Sequence, residues 1–307
     1  MTIRIGTRGS KLALWQANWV QAELEKHGYA VKRCIISTKG DVSTASLSQV
    51  GGQGVFTKEI QRSLLADEVD VAVHSLKDLP TEKIEGLQIA AVPQRESTVD
   101  CLISREGQRF EELPPGARIG TGSLRRGAQL LAWRSDIVLT DIRGNVDSRL
   151  AKLDDGQYDA IVLAEAGLKR LNLDGRISER LPEQRIVPAI GQGALGLECR
   201  SQDKATAAAL EALNDPASFW AVTAERSFLA SLLAGCLAPV AAHAILEDGR
   251  LQLHGRVIAR DGSQVIEGEE SGSAEDADLI GRKLADRLSE AGATDLINQA
   301  RENSNSV

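Results

Sequence analysis

The sequence predicts an α/β protein with two similar domains on mostly parallel sheets, a cleft between them, and a small α+β domain at the end. Three observations carry this. Short β-branched runs alternate with amphipathic helical stretches, which is the pattern of βαβ units. The alternation restarts around Pro93–Thr98, so there are two sets of such units. From Asp215-Pro216 onward, strand-like segments follow one another before a closing helix. The 307 residues accommodate two or three domains, each with its own core.

The first domain opens with a strand over Ile3–Thr7. Ser10 caps a helix over Lys11–His27, with Leu12, Trp15, Trp19 and Ala22 predicted on its buried face. Val31–Ser37 reads as a strand. Lys39–Gly54 is rich in Gly, Ser and Gln and long for a connection, which marks a functional loop or lid. Ile60–Ala66 is helical and Val69–His74 is a buried-type strand. In the second set, Cys101–Ser104, Arg118–Thr121, Ile137–Ile142 and Ala160–Ala164 are strands. Ser123 and Asn145 cap helices that run to about Arg134 and Asp154. In the last part, Asp215 caps a helix with Pro216 at its first position. Strands follow near Ala241–Leu246, Leu251–Ala259 and Gln264–Glu270, then a helix over Ala274–Ala291, with Glu302–Val307 expected to fray.

Composition narrows the function classes. Hydrophobic residues make up 42% and charged residues 26%, which excludes disordered, collagen-like and disulfide-scaffold chains. The net charge of −7 argues against nucleic acid or an anionic membrane as partner. Arg outnumbers Lys by 25 to 11, and Arg holds planar carboxylates through two parallel hydrogen bonds. The balance points to a small anionic ligand in a local Arg cluster. No secretory signal opens the chain and no apolar run approaches the roughly 20 residues of a membrane span, so a cytoplasmic protein is expected. Cys34, Cys101, Cys199 and Cys236 form no metal-ligand cluster, so no metal is expected and free thiols are.

The motifs fall at strand ends, where open α/β sheets bind ligands. Thr121 and Ser123 offer hydroxyls at the start of a helix whose free N–H groups favour anions, and Arg125 and Arg126 stand in its first turn. Arg143 sits at a strand-to-helix junction and Arg149 one turn into the next helix; Arg8 occupies the same kind of junction in the first domain. Ser75, Lys77 and Asp78 follow the buried strand. An Asp beside basic groups stays ionised and can oppose a cationic intermediate. Gly191–Gly196 matches G-x-G-x-x-G, but a strand-like run follows it where a dinucleotide site needs a helix; a close-packed crossing between domains fits better. Three of the cysteines sit among apolar neighbours as fillers, while Cys236 lies on a turn beside Gly235.

Taken together, these segments resemble the porphobilinogen deaminase family, also called hydroxymethylbilane synthases. The resemblance runs in order over nearly the whole chain: Thr7–Gln16, Lys39–Asp41, His74–Asp78, Gly122–Arg126, Arg143–Val146, Ala166–Arg170, Gly191–Ala194, Ala224–Arg226 and Gly235-Cys236. It implies a transferase of tetrapyrrole and haem biosynthesis. Such an enzyme joins four porphobilinogen molecules head to tail, with loss of ammonia, onto a dipyrromethane cofactor, and water then releases 1-hydroxymethylbilane. It further implies that Cys236 holds the cofactor through a thioether and that Asp78 is the catalytic aspartate, stabilising the azafulvenium cation left by deamination. Arg8, Ser75, Lys77, Thr121, Ser123, Arg125, Arg126, Arg143, Arg149, Arg170 and Gln192 match positions that bind cofactor or substrate carboxylates, and Gln16 a position near the substrate. The family fold is two periplasmic-binding-protein-like α/β domains plus a small C-terminal α+β domain. The expected division is 1–95 with 194–213, then 96–193, then 214–307, in a monomer.

The chain departs from the family pattern in a few places. Gln49 and Gln53 stand in the lid where Lys is common, although Phe56 keeps the usual lid aromatic. Gly122 replaces a frequent Ser, Leu76 a common Met, and Leu237 a Gln. These bear on substrate affinity and the lid more than on the reaction. The competing class is a non-catalytic, bilobal small-anion-binding protein, which fold alone does not separate from the enzyme.

Overall fold

Strand β1 (Thr2–Thr7) hides Ile3 and Ile5 completely, and helix α1 (Lys11–Lys26) packs over it. Ser10 accepts from the Ala13 N–H at the helix start, as its residue type predicts. The computed structural model describes residues 1–37, 57–233 and 238–305, the last three of these by backbone alone. The expected lid Lys39–Gly54 with Gln49 and Gln53, the aromatic Phe56, and the turn with Cys236 and Leu237 lie outside the described residues.

The predicted face of α1 is corrected. The helix buries Gln16, Ala17, Val20 and Leu24, while Trp19 only flanks the core and Trp15 is 36% exposed. The smaller Ala17 and Val20 let the helix lie close to the sheet. The bulky Trp15 turns to the rim, where the Arg170 guanidinium stacks 5.7 Å from its ring centre.

The first sheet adds β2 (Ala30–Ile35), β3 (Val71–Ser75), β4 (Leu87–Ala91) and β10 (Leu195–Arg200) in the order β2-β1-β3-β10-β4. Helix α2 (Lys58–Leu65) covers its second face with Ile60 and Leu64. The second sheet holds β5 (Asp100–Ser104), β6 (Arg118–Gly120), β7 (Val138–Thr140), β8 (Ala160–Ala164) and β9 (Glu179–Arg180) in the order β7-β6-β8-β5-β9. Helices α3 (Leu124–Trp133), α4 (Val146–Asp154) and α5 (Glu165–Arg170) flank it, with cores around Leu102, Phe110 and Leu130 on one side and Ile103, Leu150 and Leu163 on the other.

Four of the five strands in each sheet run the same way and one is reversed. In each, two pairings are parallel and two antiparallel. The reversed strands, β5 and β10, are those entered directly after the chain crosses from one sheet to the other, so each runs against its neighbours. Otherwise β3 and β8 are near-continuous apolar runs, as strands covered on both faces require.

Helix α6 (Lys204–Glu211) completes the first lobe. Helix α7 (Pro216–Ser231) starts at Asp215, which accepts from the Ser218 N–H. Strands β11 (Val240–Glu247), β12 (Arg250–Ile258) and β13 (Val265–Ser273) form an antiparallel sheet backed by α7 and α8 (Ala277–Glu290), with Phe228, Leu253, Val257 and Leu284 between them. A last helix, α9 (Ala293–Asn305), runs where fraying was expected, anchored by Leu296, Ile297 and Ala300. This is the two-plus-one architecture of the predicted fold class.

Candidate functional site

The parallel strands of both sheets end toward one cleft of about 820 Å³. Arg8 follows β1, Ser75 ends β3, and Lys77 and Asp78 follow it in a 3₁₀ turn over Leu76–Asp78. From the other sheet, Arg143 follows β7, Arg149 stands in the first turns of α4, and Arg170 ends α5. These seven residues, with Gln16 and Arg126, line the cleft.

The wall is cationic and firmly held. Arg143 donates to Asp141 Oδ2 at 2.8 Å, and Arg149 donates from Nε to the Gly144 carbonyl at 2.8 Å. Arg170 donates to the Gly193 carbonyl at 2.7 Å. Burial lowers the Arg149 guanidinium to about 10, helped by Arg126 and Arg143; burial also lowers Arg170 to about 10 against the pull of Glu96. Both keep their charge at neutral pH. Lys77 is open to the cleft yet walled in by protein. Desolvation lowers its ammonium to about 8, with Arg126 adding to the effect and Asp78 opposing it. Asp78 is exposed to the same space, and its carboxylate accepts no hydrogen bond among the described residues.

Thr121, Ser123, Arg125 and Gln192 do not line the cleft. They stand behind it and build it. Ser123 caps α3 by accepting from the Arg126 N–H, and Thr121 Oγ1 accepts from the Ser123 N–H at 3.2 Å. Arg125 pairs with Asp100 at 2.7 Å and donates from Nη1 to the Val187 carbonyl at 2.7 Å, while its buried Nε finds no hydrogen-bond partner among the described residues. Gln192, fully buried, donates to Asp100 Oδ1 and to the Thr98 carbonyl; its Oε1 lies 3.5 Å from Lys77 Nζ. Asn145 takes the N-cap position of α4, but its side chain makes no capping bond.

Asp100 is the residue that sequence reasoning missed. It is buried under both Arg125 and Arg126, which it meets at 2.7 and 2.6 Å. Burial alone would raise its carboxyl, but the two guanidiniums hold it well below the usual carboxylate range. The available signal was an acid at the start of an apolar strand, directly after the crossing.

The crossing segment Gly191–Gly196 leads into strand β10, which removes the dinucleotide reading. It is close-packed: at Gly193, with φ +83°, an added Cβ would lie 2.2 Å from the Glu96 carbonyl oxygen. Cys101 and Cys199 are buried free thiols, and burial pushes the Cys101 thiol up to about 12. No group of residues suited to a metal ion occurs among the described residues, and no described helix is long and apolar enough to cross a membrane.

Comparison with known proteins agrees with the chain-long motif order. Residues 3–208 match the family model "porphobilinogen deaminase, dipyromethane cofactor binding domain", and residues 219–290 match the model of its C-terminal domain. A porphobilinogen deaminase of Deinococcus radiodurans is 49% identical over 98% of this chain and 99% of its own. One from Pelobacter propionicus is 47% identical over 97% and 96%. A periplasmic substrate-binding protein of Coxiella burnetii overlays with a TM-score of 0.44 at 14% identity, covering 71% of this chain and 94% of its own.

Proposed function

This chain belongs to the porphobilinogen deaminase family, and from that premise we infer how its cleft performs the family's chemistry. It is a transferase, a hydroxymethylbilane synthase. It joins four porphobilinogen molecules head to tail, with loss of ammonia, onto a covalent dipyrromethane, and water releases the linear 1-hydroxymethylbilane. The observation that carries the mechanism is the open carboxylate of Asp78 in a cleft whose lining includes Arg8, Arg126, Arg143, Arg149, Arg170 and Lys77, while the other acid there, Asp147, is paired with Lys11 at 2.8 Å.

The donor set fits the cofactor. Each pyrrole of a dipyrromethane made from porphobilinogen carries an acetate and a propionate, and the cleft presents fixed guanidiniums on both sides. Arg8 and Lys77 on the first lobe and Arg143, Arg149 and Arg170 on the second would hold those carboxylates. The bound cofactor supplies the pyrrole terminus from which the chain grows. By the family resemblance Cys236 is its attachment point in this reading; Cys101 and Cys199 are buried, and burial makes their thiols harder to ionise.

The chemistry needs a carbon–nitrogen bond of porphobilinogen to break. Its electron pair leaves with the nitrogen as ammonia, and positive charge spreads over the pyrrole and its methylene. Asp78 would accept the pyrrole N–H and oppose that charge, from a position fixed before the charge appears. The surrounding cations would hold the substrate's carboxylates. We also propose the division 1–95 with 194–213, 96–193 and 214–307; the place of β10 inside the first sheet supports it.

Intact-protein mass spectrometry under denaturing conditions tests the cofactor assignment. The expected mass exceeds the sequence value by two porphobilinogens less two ammonia, and the Cys236→Ser protein has the bare mass. A serine variant that still carries the adduct would overturn the attachment site.

A further inference from the structure

The turn that carries Asp78 is held at both ends. On the near side the Gln16 amide donates to Ser75 Oγ at 2.8 Å, and the Leu76 N–H donates to the Ala194 carbonyl at 3.0 Å. Leu76 is buried against the crossing segment, where a Cβ added at Gly191 or Gly196 would come within 3.2 or 2.7 Å of it. On the far side the clamp is Arg226, from the middle of α7. Its Nη1 donates to the Leu79 carbonyl at 2.8 Å and its Nη2 to the Pro80 carbonyl at 2.7 Å. These are the two residues directly after Asp78.

Arg226 does not line the cleft, so the carboxylate-binding wall has no use for it. Burial lowers its guanidinium to about 10, with Glu198 working the other way, so it stays charged at neutral pH. Placing a charge there is costly, and only a function of its two-pronged fork repays the cost. Two parallel N–H donors on consecutive carbonyls fix the direction in which the chain leaves the turn. They therefore fix the direction from which the Asp78 side chain enters the cleft. The preceding residue on α7, Glu225, is fully buried. It accepts from Arg95 at 2.6 and 3.0 Å, from the Gly191 N–H at 2.7 Å and from the Ala244 N–H at 2.9 Å. Helix α7 thus grips both crossing segments and the Asp78 turn with adjacent residues.

We propose that Arg226 is a positioning residue for Asp78: it sets the carboxylate's approach to the reacting pyrrole from outside the cleft, through the Leu79 and Pro80 carbonyls. This rests on the reading of Asp78 as the charge-opposing carboxylate. A displacement of about 1 Å at such a group costs up to about 100-fold in rate.

The test uses holoenzyme whose cofactor content has been confirmed by mass. Arg226→Gln is expected to lower kcat by about 10- to 100-fold while KM for porphobilinogen stays within about threefold. Arg226→Lys keeps the charge and can reach one carbonyl, and it should recover part of the loss. Amide exchange of the Ser75–Pro80 segment should quicken in Arg226→Gln. In the double variant with Asp78→Asn, Arg226→Gln should add little, because the two act as one unit. If Arg226→Gln folds poorly, Arg226→Lys alone still reads the kcat and KM split. Normal kcat in either loaded variant, or losses that multiply with those of Asp78→Asn, would overturn the proposal. Normal turnover by Asp78→Asn would instead overturn the reading beneath it.

Discussion

The two lobes share one topology and use it in opposite ways. Strand for strand, β2-β1-β3-β10-β4 corresponds to β7-β6-β8-β5-β9, with the same parallel trio and the same reversed fourth strand. After the third strand of each trio comes an acid. In the first lobe it is Asp78, on a 3₁₀ turn and open to the cleft. In the second it is Glu165, buried at the start of α5, accepting from Ser97 Oγ at 2.6 Å and Arg180 Nε at 2.7 Å. A carboxylate whose lone pairs are filled by the protein is structural, while one left open among cations is available to a substrate. The topology supplies the place, and the local hydrogen bonds decide the use.

Substituting both acids gives the sharpest break of that comparison. Asp78→Asn should lower kcat by about 10²–10³-fold with the fold intact, the scale of losing one electrostatic group aimed at developing charge. Glu165→Gln should leave turnover near normal and cost about 1–3 kcal/mol of stability, because the Arg180 and Ser97 donors lose their charged acceptor. Steady-state kinetics with a denaturation curve for each variant decides the matter. Comparable losses of turnover in both would erase the distinction between the lobes.

The lobes also differ in how their cations are anchored, and Asp100 is the place to test this. In the second lobe the buried Asp100 compensates both Arg125 and Arg126. Asp100→Asn leaves two buried guanidiniums without their anion and should destabilise the protein by about 3–5 kcal/mol at neutral pH. The pH dependence follows from the sign of the shift. The folded carboxyl is held below its unfolded value of about 3.9, so its stabilisation is complete above about pH 4 and is lost as the pH falls through the folded value. The gap between wild type and Asp100→Asn should therefore narrow in acid. An Asp100→Asn protein as stable as wild type at pH 7 would show that the pairs are not what holds α3 in place.

Much of this was legible in the chain because local rules and global fold agree. Ser10, Ser123 and Asp215 are caps by residue type and by observed bond, and Ala160–Ala164 is a strand on apolar content alone. Illegible parts depended on distant partners. The reversed strands β5 and β10 look like any other apolar run, since direction is set by where the chain crosses. The α1 stripe was misread because Trp15 is apolar in a pattern but lies partly exposed under the Arg170 guanidinium. At the site, Asp78, Lys77 and the Arg set stood out by position at strand ends. Which guanidiniums face the cleft did not, because Arg125 and Arg126 are adjacent in sequence and only Arg126 lines the cleft. Asp100, Arg95, Glu225 and Arg226 act through contacts dozens of residues away, so the segments that hold them do not show which partners they meet.

A smaller effect separates the lobes again, this time in their cations. The second lobe's wall is mostly arginine, whereas the first lobe places a lysine beside Asp78. Desolvation, then Arg126, brings the Lys77 ammonium down to about 8, with Asp78 pulling it partly back. As the pH rises through that value, Lys77 loses its charge and a cleft built for carboxylates loses one cation, while Arg149 and Arg170, lowered only to about 10, stay mostly charged. KM for porphobilinogen should therefore rise severalfold between about pH 7.5 and 9.5, the scale of one exposed charge contact worth about 1 kcal/mol. In Lys77→Arg the guanidinium stays protonated and the rise should flatten. Measuring KM across that range in both proteins checks this. A rise of equal size in Lys77→Arg would place the titrating group elsewhere and leave the first lobe's lysine as a fixed charge like the arginines facing it.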